Sequence, residues 1–158
     1  MKKIIPIIAL LVGGLIGFVS GKYLLNKGVT EKIKKVDKFK SYYSMLNEWM
    51  CLKNNGKRLD KYFINKHYNN IAIYGIGEMG KRLYEELHNT NVKIIYAIDK
   101  NAADNPYPDL EILTLEDKLE KVDVIVVTAT FDYDKIETQL SEKINCRIIS
   151  LEDVLYDF

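Results

Sequence analysis

The sequence predicts an α/β fold: a minimal five-stranded doubly wound parallel sheet, preceded by an N-terminal transmembrane helix and a linker helix. Three observations carry this expectation. The apolar run Ile71-Ala72-Ile73-Tyr74 ends in Gly75-Ile76-Gly77-Glu78-Met79-Gly80, and an amphipathic helical pattern follows at once. Two more apolar runs, Val92 to Ile98 and Asp123 to Thr128, are almost unbroken, as suits parallel strands covered on both faces. Helical patterns alternate with these runs, which implies parallel pairing in the order 3-2-1-4-5.

With 158 residues the chain has room for one domain and an appendage. Its formal charge of +1 hides a division. Residues 1–70 carry 14 Lys/Arg against 4 Asp/Glu, a net of +10, whereas residues 71–158 carry 9 against 18, a net of −9. A nucleic-acid-binding domain would carry the positive charge on its globular part, and this one is acidic, so no nucleic-acid partner is expected. Cys51 and Cys146 are too few and too isolated for a disulfide framework or a metal site, and they suit a reducing compartment.

Residues 1–25 read as a membrane anchor. Lys2 and Lys3 precede an uncharged stretch from Ile4 to Ser20, and apolar character continues to Leu25 with only Lys22 intervening. As a helix this stretch is about 33 Å long, enough to cross a bilayer. The competing reading is a cleaved signal peptide with Ser20 and Gly21 at the cleavage region. An uncleaved anchor is the favoured reading. Lys22, Lys27, Lys32, Lys34, Lys35 and Lys38 flank its C-terminal side, so the rest of the chain is expected in the cytoplasm. Gly13, Gly17 and Gly21 lie four apart on one helix face, a small-residue ridge of the kind that pairs membrane helices in a homodimer.

Residues 26–55 form the linker helix. Ile33, Val36, Phe39, Tyr43, Leu46 and Met50 recur at spacings of three and four, and Tyr42, Trp49 and Leu52 widen the apolar face. Such a helix packs on the following domain or on its own copy in a dimer, while its lysines could meet anionic lipid. Asn54-Asn55-Gly56 ends it, and Lys57 to Tyr68 reads as a short helix with Leu59, Tyr62 and Phe63 facing inward. Tyr62 and Lys66 make a Y-x-x-x-K, which in short-chain dehydrogenases is the catalytic pair. In those enzymes it follows the glycine motif and here it precedes it, so the match is read as coincidence, with Tyr62 in the core and Lys66 in solvent.

Residues 56–158 form the globular domain. Gly75, Gly77 and Gly80 make a G-x-G-x-x-G between a strand and a helix, the arrangement that receives a pyrophosphate. The first glycine permits the turn, the second lets the backbone approach the phosphates, and the third lets helix and strand pack closely. Ile76, Glu78 and Met79 complete the loop, whose helix-start N–H groups face the anion. Glu78 must turn outward to leave room for negative charge. Asp99 ends the second strand, 19 residues after Gly80, where a carboxylate accepts the ribose hydroxyls and disfavours a 2′-phosphate, so NAD is expected over NADP. Lys100 beside it weakens that exclusion. Asn101 to Leu110, with Pro106 and Pro108, is a loop on the ligand side. Glu111 to Leu113 is a third strand, and Thr114-Leu115-Glu116-Asp117 opens a helix ending near Lys121. Thr128 ends the fourth strand near the expected ligand. Phe131 to Lys143 is a helix, Arg147 to Ser150 a fifth strand, and Ser150-Leu151-Glu152-Asp153 caps a last helix.

From about Gly56 to Leu155 the chain resembles the NAD(P)-binding Rossmann superfamily. It looks most like the small nucleotide-binding modules of bacterial cell-surface polysaccharide proteins, such as the leading domain of nucleotide-sugar acyltransferases. Tyr74-Gly75-Ile76-Gly77-Glu78-Met79-Gly80, Tyr96-Ala97-Ile98-Asp99 and Val124-Ile125-Val126-Val127-Thr128 carry the resemblance. It implies NAD or a nucleotide-sugar as ligand; Tyr74, where an S-adenosylmethionine site would have an acid, counts against that cofactor. His67 and His88 read as surface histidines, and no Ser/Cys–His arrangement or metal-ligand cluster stands out. The chain therefore reads as a nucleotide-binding module that is non-catalytic alone and acts with partners. The alternatives are an oxidoreductase or nucleotide-sugar-modifying enzyme completed by dimerisation or a partner subunit, and a scaffold that binds nothing.

Overall fold

The computed structural model describes the backbone of residues 4–101 and 107–158, and the side chains of 28–101 and 107–158. β-Branched sequence dominates its strands: Asn70–Tyr74 (β1), Lys93–Ile98 (β2), Ile112–Leu113 (β3), Val124–Val127 (β4) and Arg147–Ser150 (β5). All four pairings are parallel and the order is β3-β2-β1-β4-β5, as the alternating pattern predicts. Because successive side chains point to opposite faces, Ile71, Ile73, Val124 and Val126 enter one core while Ala72, Ile125 and Val127 enter the other.

The two faces are covered unequally. Helices α2 (Leu59–Asn65), α3 (Glu78–Leu87) and α5 (Leu151–Tyr156) cover the first through Leu59, Phe63, Leu83, Leu87, Leu151 and Leu155. Each such side chain, fully withdrawn from water, contributes about 1.5–3 kcal/mol. The second face is covered by α4 (Tyr133–Ser141), through Ile136 and Leu140, and by Val122 of the segment ahead of β4. Ser150 caps α5 through the reciprocal box with Asp153 that the sequence indicates.

The chain divides into two units, residues 1–41 and 42–158. Helix α1 runs from Ile4 to Asn54. Within the second unit its Met45, Trp49 and Leu52 are buried in the first core, so the compact unit begins at Tyr42, ahead of the boundary expected at 56. In the first unit every side chain from Gly28 to Lys40 is exposed. Among the described residues no helix is long and apolar enough to cross a membrane; the expected span, residues 4–25, and its Gly13/Gly17/Gly21 ridge have side chains outside the described residues.

Helix α1 ends in a paired stop. Gly56, at φ +72°, follows it while the N–H of Lys57 reaches the Leu52 carbonyl and that of Gly56 the Lys53 carbonyl, which satisfies two terminal carbonyls. The same arrangement ends α2 sooner than expected. Tyr68 donates to Phe63 and His67 to Ile64, and His67 itself sits at φ +62°, a conformation that costs a residue with a Cβ.

One expected element is absent from the described residues. Thr114 does nucleate a turn, its N–H and hydroxyl both donating to Asp117 Oδ2 at 2.7 and 2.8 Å, but no helix follows between Thr114 and Lys121. The ten residues between Leu113 and Val124 must carry the chain from the edge strand β3 past β2 and β1 to β4. The chain runs on without a helix, and Leu115 and Leu119 pack against the second core. A single turn without propagation is unfavourable as a helix. Of the Asn101–Leu110 loop, residues 102–106 with Pro106 lie outside the described residues.

Candidate functional site

The three glycines of the loop have three different reasons to be glycine. Gly75 lies at φ +92°, where a side chain is strained, and a Cβ there would stand 3.0 Å from Thr128 Oγ1. Gly80, in the first turn of α3, packs so closely that a Cβ would come within 1.9 Å of the Gly75 carbonyl oxygen. The fold itself therefore demands both. Gly77 caps α3 at φ −71° and ψ −167°, a conformation open to any residue, and a Cβ there would have nothing within 4 Å. The fold makes no demand on this position. Glycine there leaves backbone bare toward solvent and sacrifices about 0.5–1 kcal/mol of chain entropy relative to alanine.

The loop is held from two sides. Thr128, 4% exposed, donates its hydroxyl to the Gly75 carbonyl at 2.7 Å. Asp99 Oδ2 accepts the Ile76 N–H at 2.8 Å, and its Oδ1 accepts the Asn101 N–H at 2.9 Å. Thr128 and Asp99, two of the residues expected from sequence at the ligand site, thus brace the loop. Each Asp99 oxygen keeps a second lone pair for another donor. Ile76 and Met79 point into the core. Glu78 turns outward as required, its side chain 78% exposed and 3.8 Å from both Lys81 and Arg82. With Glu78 aside, the first turn of α3 has no side-chain cap, so its N–H groups are left for solvent or a ligand.

Two hollows flank Asp99 at the C-terminal ends of the strands. One, of about 210 Å³, lies over Ile76 and Gly77 and is bounded by Lys81, Asn101 and Ile112. The other, of about 330 Å³, is lined by Tyr74, Gly75, Lys100, Asp132, Lys135 and Gln139 among others. Burial, and then the nearby Asp99 and Asp132 carboxylates, push the Tyr74 hydroxyl above its ordinary value. Among the described residues Lys100 and Lys135 form no ion pair. Lys135 and Asp132 were not singled out by the sequence. Their signal was position, since the start of the helix after β4 falls at the same sheet edge as the glycine loop.

Other candidate groups lie elsewhere. Tyr62 is buried against Phe63 and Phe158, Lys66 pairs with Asp157 at 2.8 Å, and burial raises the Tyr62 hydroxyl rather than lowering it as proton transfer near neutrality would need. His88, just past the end of α3, stacks on Tyr84, and its Nδ1 faces the Glu85 carbonyl at 3.0 Å. Among the described residues no group of three or more His, Cys, Asp or Glu could hold a metal ion.

A family model described as C2185-like, N-terminal, matches residues 67–149. The chain belongs to that family. Its C2185-like portion runs from the left-handed His67 into β5, and so contains the glycine loop, Asp99, Thr128 and both hollows. No curated protein and no solved structure matches the sequence.

Proposed function

We propose that this chain is a membrane-anchored, cytoplasmic nucleotide-binding module that takes NAD or a nucleotide-sugar across the glycine loop, is non-catalytic alone, and acts with partner proteins. Gly77 carries the reading. It is a glycine that the fold does not need, at the N-terminus of a helix with no side-chain cap, beside an open hollow. A phosphate group explains it, because only a bare backbone lets such a group approach the helix-start N–H donors. Lys100 and Lys135, which have no ion-pair partner among the described residues, supply positive charge at the neighbouring hollow for a second anionic group. Asp99 keeps lone pairs for ribose hydroxyls while it holds Ile76. The membrane anchor rests on the uncharged stretch from Ile4 to Ser20 and the lysines that follow it, and a role in cell-surface polysaccharide synthesis rests on the resemblance in the loop residues.

The test is a ligand panel on the full-length chain by calorimetry: NAD, NADP, a UDP-sugar, coenzyme A and S-adenosylmethionine. Binding of NAD or the UDP-sugar is expected, and a chain that binds none of the five contradicts the reading. Asp99→Ala separates two roles of that carboxylate. Loss of loop support weakens NAD and NADP alike, whereas loss of a ribose contact weakens NAD by about tenfold, the equivalent of about one hydrogen bond to a charged group, and narrows its preference over NADP. An unchanged NAD/NADP ratio rules out the ribose contact.

A further inference from the structure

Helix α4 lays a polar stripe along the hollow beside Gly75. Asp132, Lys135 and Gln139 are spaced by three and then four, so they share one helix face, and all three line the hollow. Ile136 and Leu140, on the neighbouring stripe, are buried in the second core, which fixes how the helix is turned. The hollow lies between the ends of β1 and β4, where the sheet order reverses about β1, the place where parallel sheets of this kind take ligands. Asp99 borders both this hollow and the one over Gly77, so a ligand with its phosphates over Gly77 reaches α4 by crossing Gly75.

The polar groups around this hollow are not spent on one another. Neither Lys100 nor Lys135 forms an ion pair with Asp99 or Asp132. Asp132 stands at the N-cap of α4, yet its side chain caps nothing. It closes a 3₁₀ turn over Thr130–Asp132, and its backbone, at φ −113° and ψ 20°, is not the extended conformation from which a capping side chain reaches the helix N–H groups. Its carboxylate is left to solvent or a ligand. The apolar members of the wall are committed the other way, since Ala129, Ile136 and the Tyr74 ring pack on the second core. What the hollow offers is therefore polar.

We propose that this hollow seats the sugar of a nucleoside diphosphate-sugar, and that the sugar is a neutral one. The inference rests on the nucleotide reading above and chooses between its two ligands. A sugar hydroxyl both donates and accepts, so a ring of hydroxyls bridges an acceptor such as the Asp132 carboxylate and a donor such as the Gln139 amide that stand apart. Lys100 and Lys135 then face the phosphate that carries the sugar. A nicotinamide ring presents flat apolar faces and, when oxidised, a positive charge; it meets two ammonium groups here and an apolar wall already packed elsewhere. A sugar acid sets a second carboxylate against Asp132, and like charges at one site repel.

The experiment titrates the full-length chain, in detergent micelles, with UDP and ADP, their glucose, galactose and N-acetylglucosamine conjugates, UDP-glucuronate and NAD. At least one neutral conjugate is expected to bind about tenfold more tightly than its parent diphosphate, the gain from one hydrogen bond to a charged group, and more tightly than UDP-glucuronate or NAD. Asp132→Ala removes that gain while affinity for the parent diphosphate and the melting temperature stay unchanged, because the side chain is exposed and caps nothing. Asp132→Asn brings UDP-glucuronate up toward the neutral conjugates, since the repelling charge goes and an acceptor oxygen remains. A diphosphate that gains nothing from any of the sugars overturns the inference and leaves the nucleotide reading standing. NAD binding more tightly than every conjugate does the same. Equal loss of diphosphate and conjugate in Asp132→Ala also overturns it, by placing Asp132 at the phosphates. If neither the diphosphates, the conjugates nor NAD bind, the nucleotide reading itself falls, and the inference with it.

Discussion

The two ends of the parallel sheet are finished in opposite ways. At the N-terminal ends of the strands, polar groups find partners inside the chain. Asp123 Oδ2 accepts the N–H groups of Asn69 and Asn70 at 2.9 and 2.8 Å, Lys66 pairs with Asp157, and the Tyr62 ring is packed between aromatics. Glu86, toward the C-terminal end of α3, accepts from Trp49, Lys53 and the Leu59 N–H at 2.8, 3.0 and 3.3 Å. At the C-terminal ends Gly77 is bare, α3 starts uncapped, and Lys100 and Lys135 have no ion-pair partners among the described residues. One end has spent its hydrogen-bonding groups on the fold, and the other holds donors and positive charge in reserve. The contrast says where a ligand would find something to bind.

Substitutions at each end sharpen the contrast. Gly80→Ala has the largest expected effect. Its methyl group meets the Gly75 carbonyl at 1.9 Å, so helix and loop must separate, with a loss of about 3 kcal/mol or more in chemical denaturation. Glu86→Ala follows, with a loss of about 2 kcal/mol, because it strands the indole and backbone donors of Trp49 and Leu59; nucleotide affinity should not change, and a large change would blur the distinction between the ends. His67→Gly is the smallest and runs the other way. It relieves a left-handed residue and should raise stability by about 0.5–1 kcal/mol, read as a higher melting temperature.

Sheet order, strand positions and the α5 cap were legible because each rests on a local pattern: β-branched runs, alternating helices, Ser150 with Asp153. Three things were not. The crossover after Thr114 begins with a helix-start pattern that is real, and its failure to propagate depends on the distance to β4. The use of Trp49 and Leu52 by the domain, rather than Tyr43 and Leu46, depends on which way the last turns of α1 face, since the periodicity there supports two faces at once. Asp99 was readable as a residue at the loop but not as the acceptor for Ile76 N–H, because that bond joins residues 23 apart. The glycine motif itself is one pattern in sequence, and only the backbone separates Gly75 and Gly80, which the fold requires, from Gly77, which it does not.

That separation is tested most directly by Gly77→Ala. With no atom within 4 Å of the new Cβ and an ordinary backbone conformation, stability should hold or rise by up to about 1 kcal/mol. Affinity for the nucleotide that binds best in the panel should fall at least tenfold, the equivalent of about 1.4 kcal/mol, as the methyl group holds the phosphates off the helix start. Undiminished affinity in a stable Gly77→Ala protein would contradict the account.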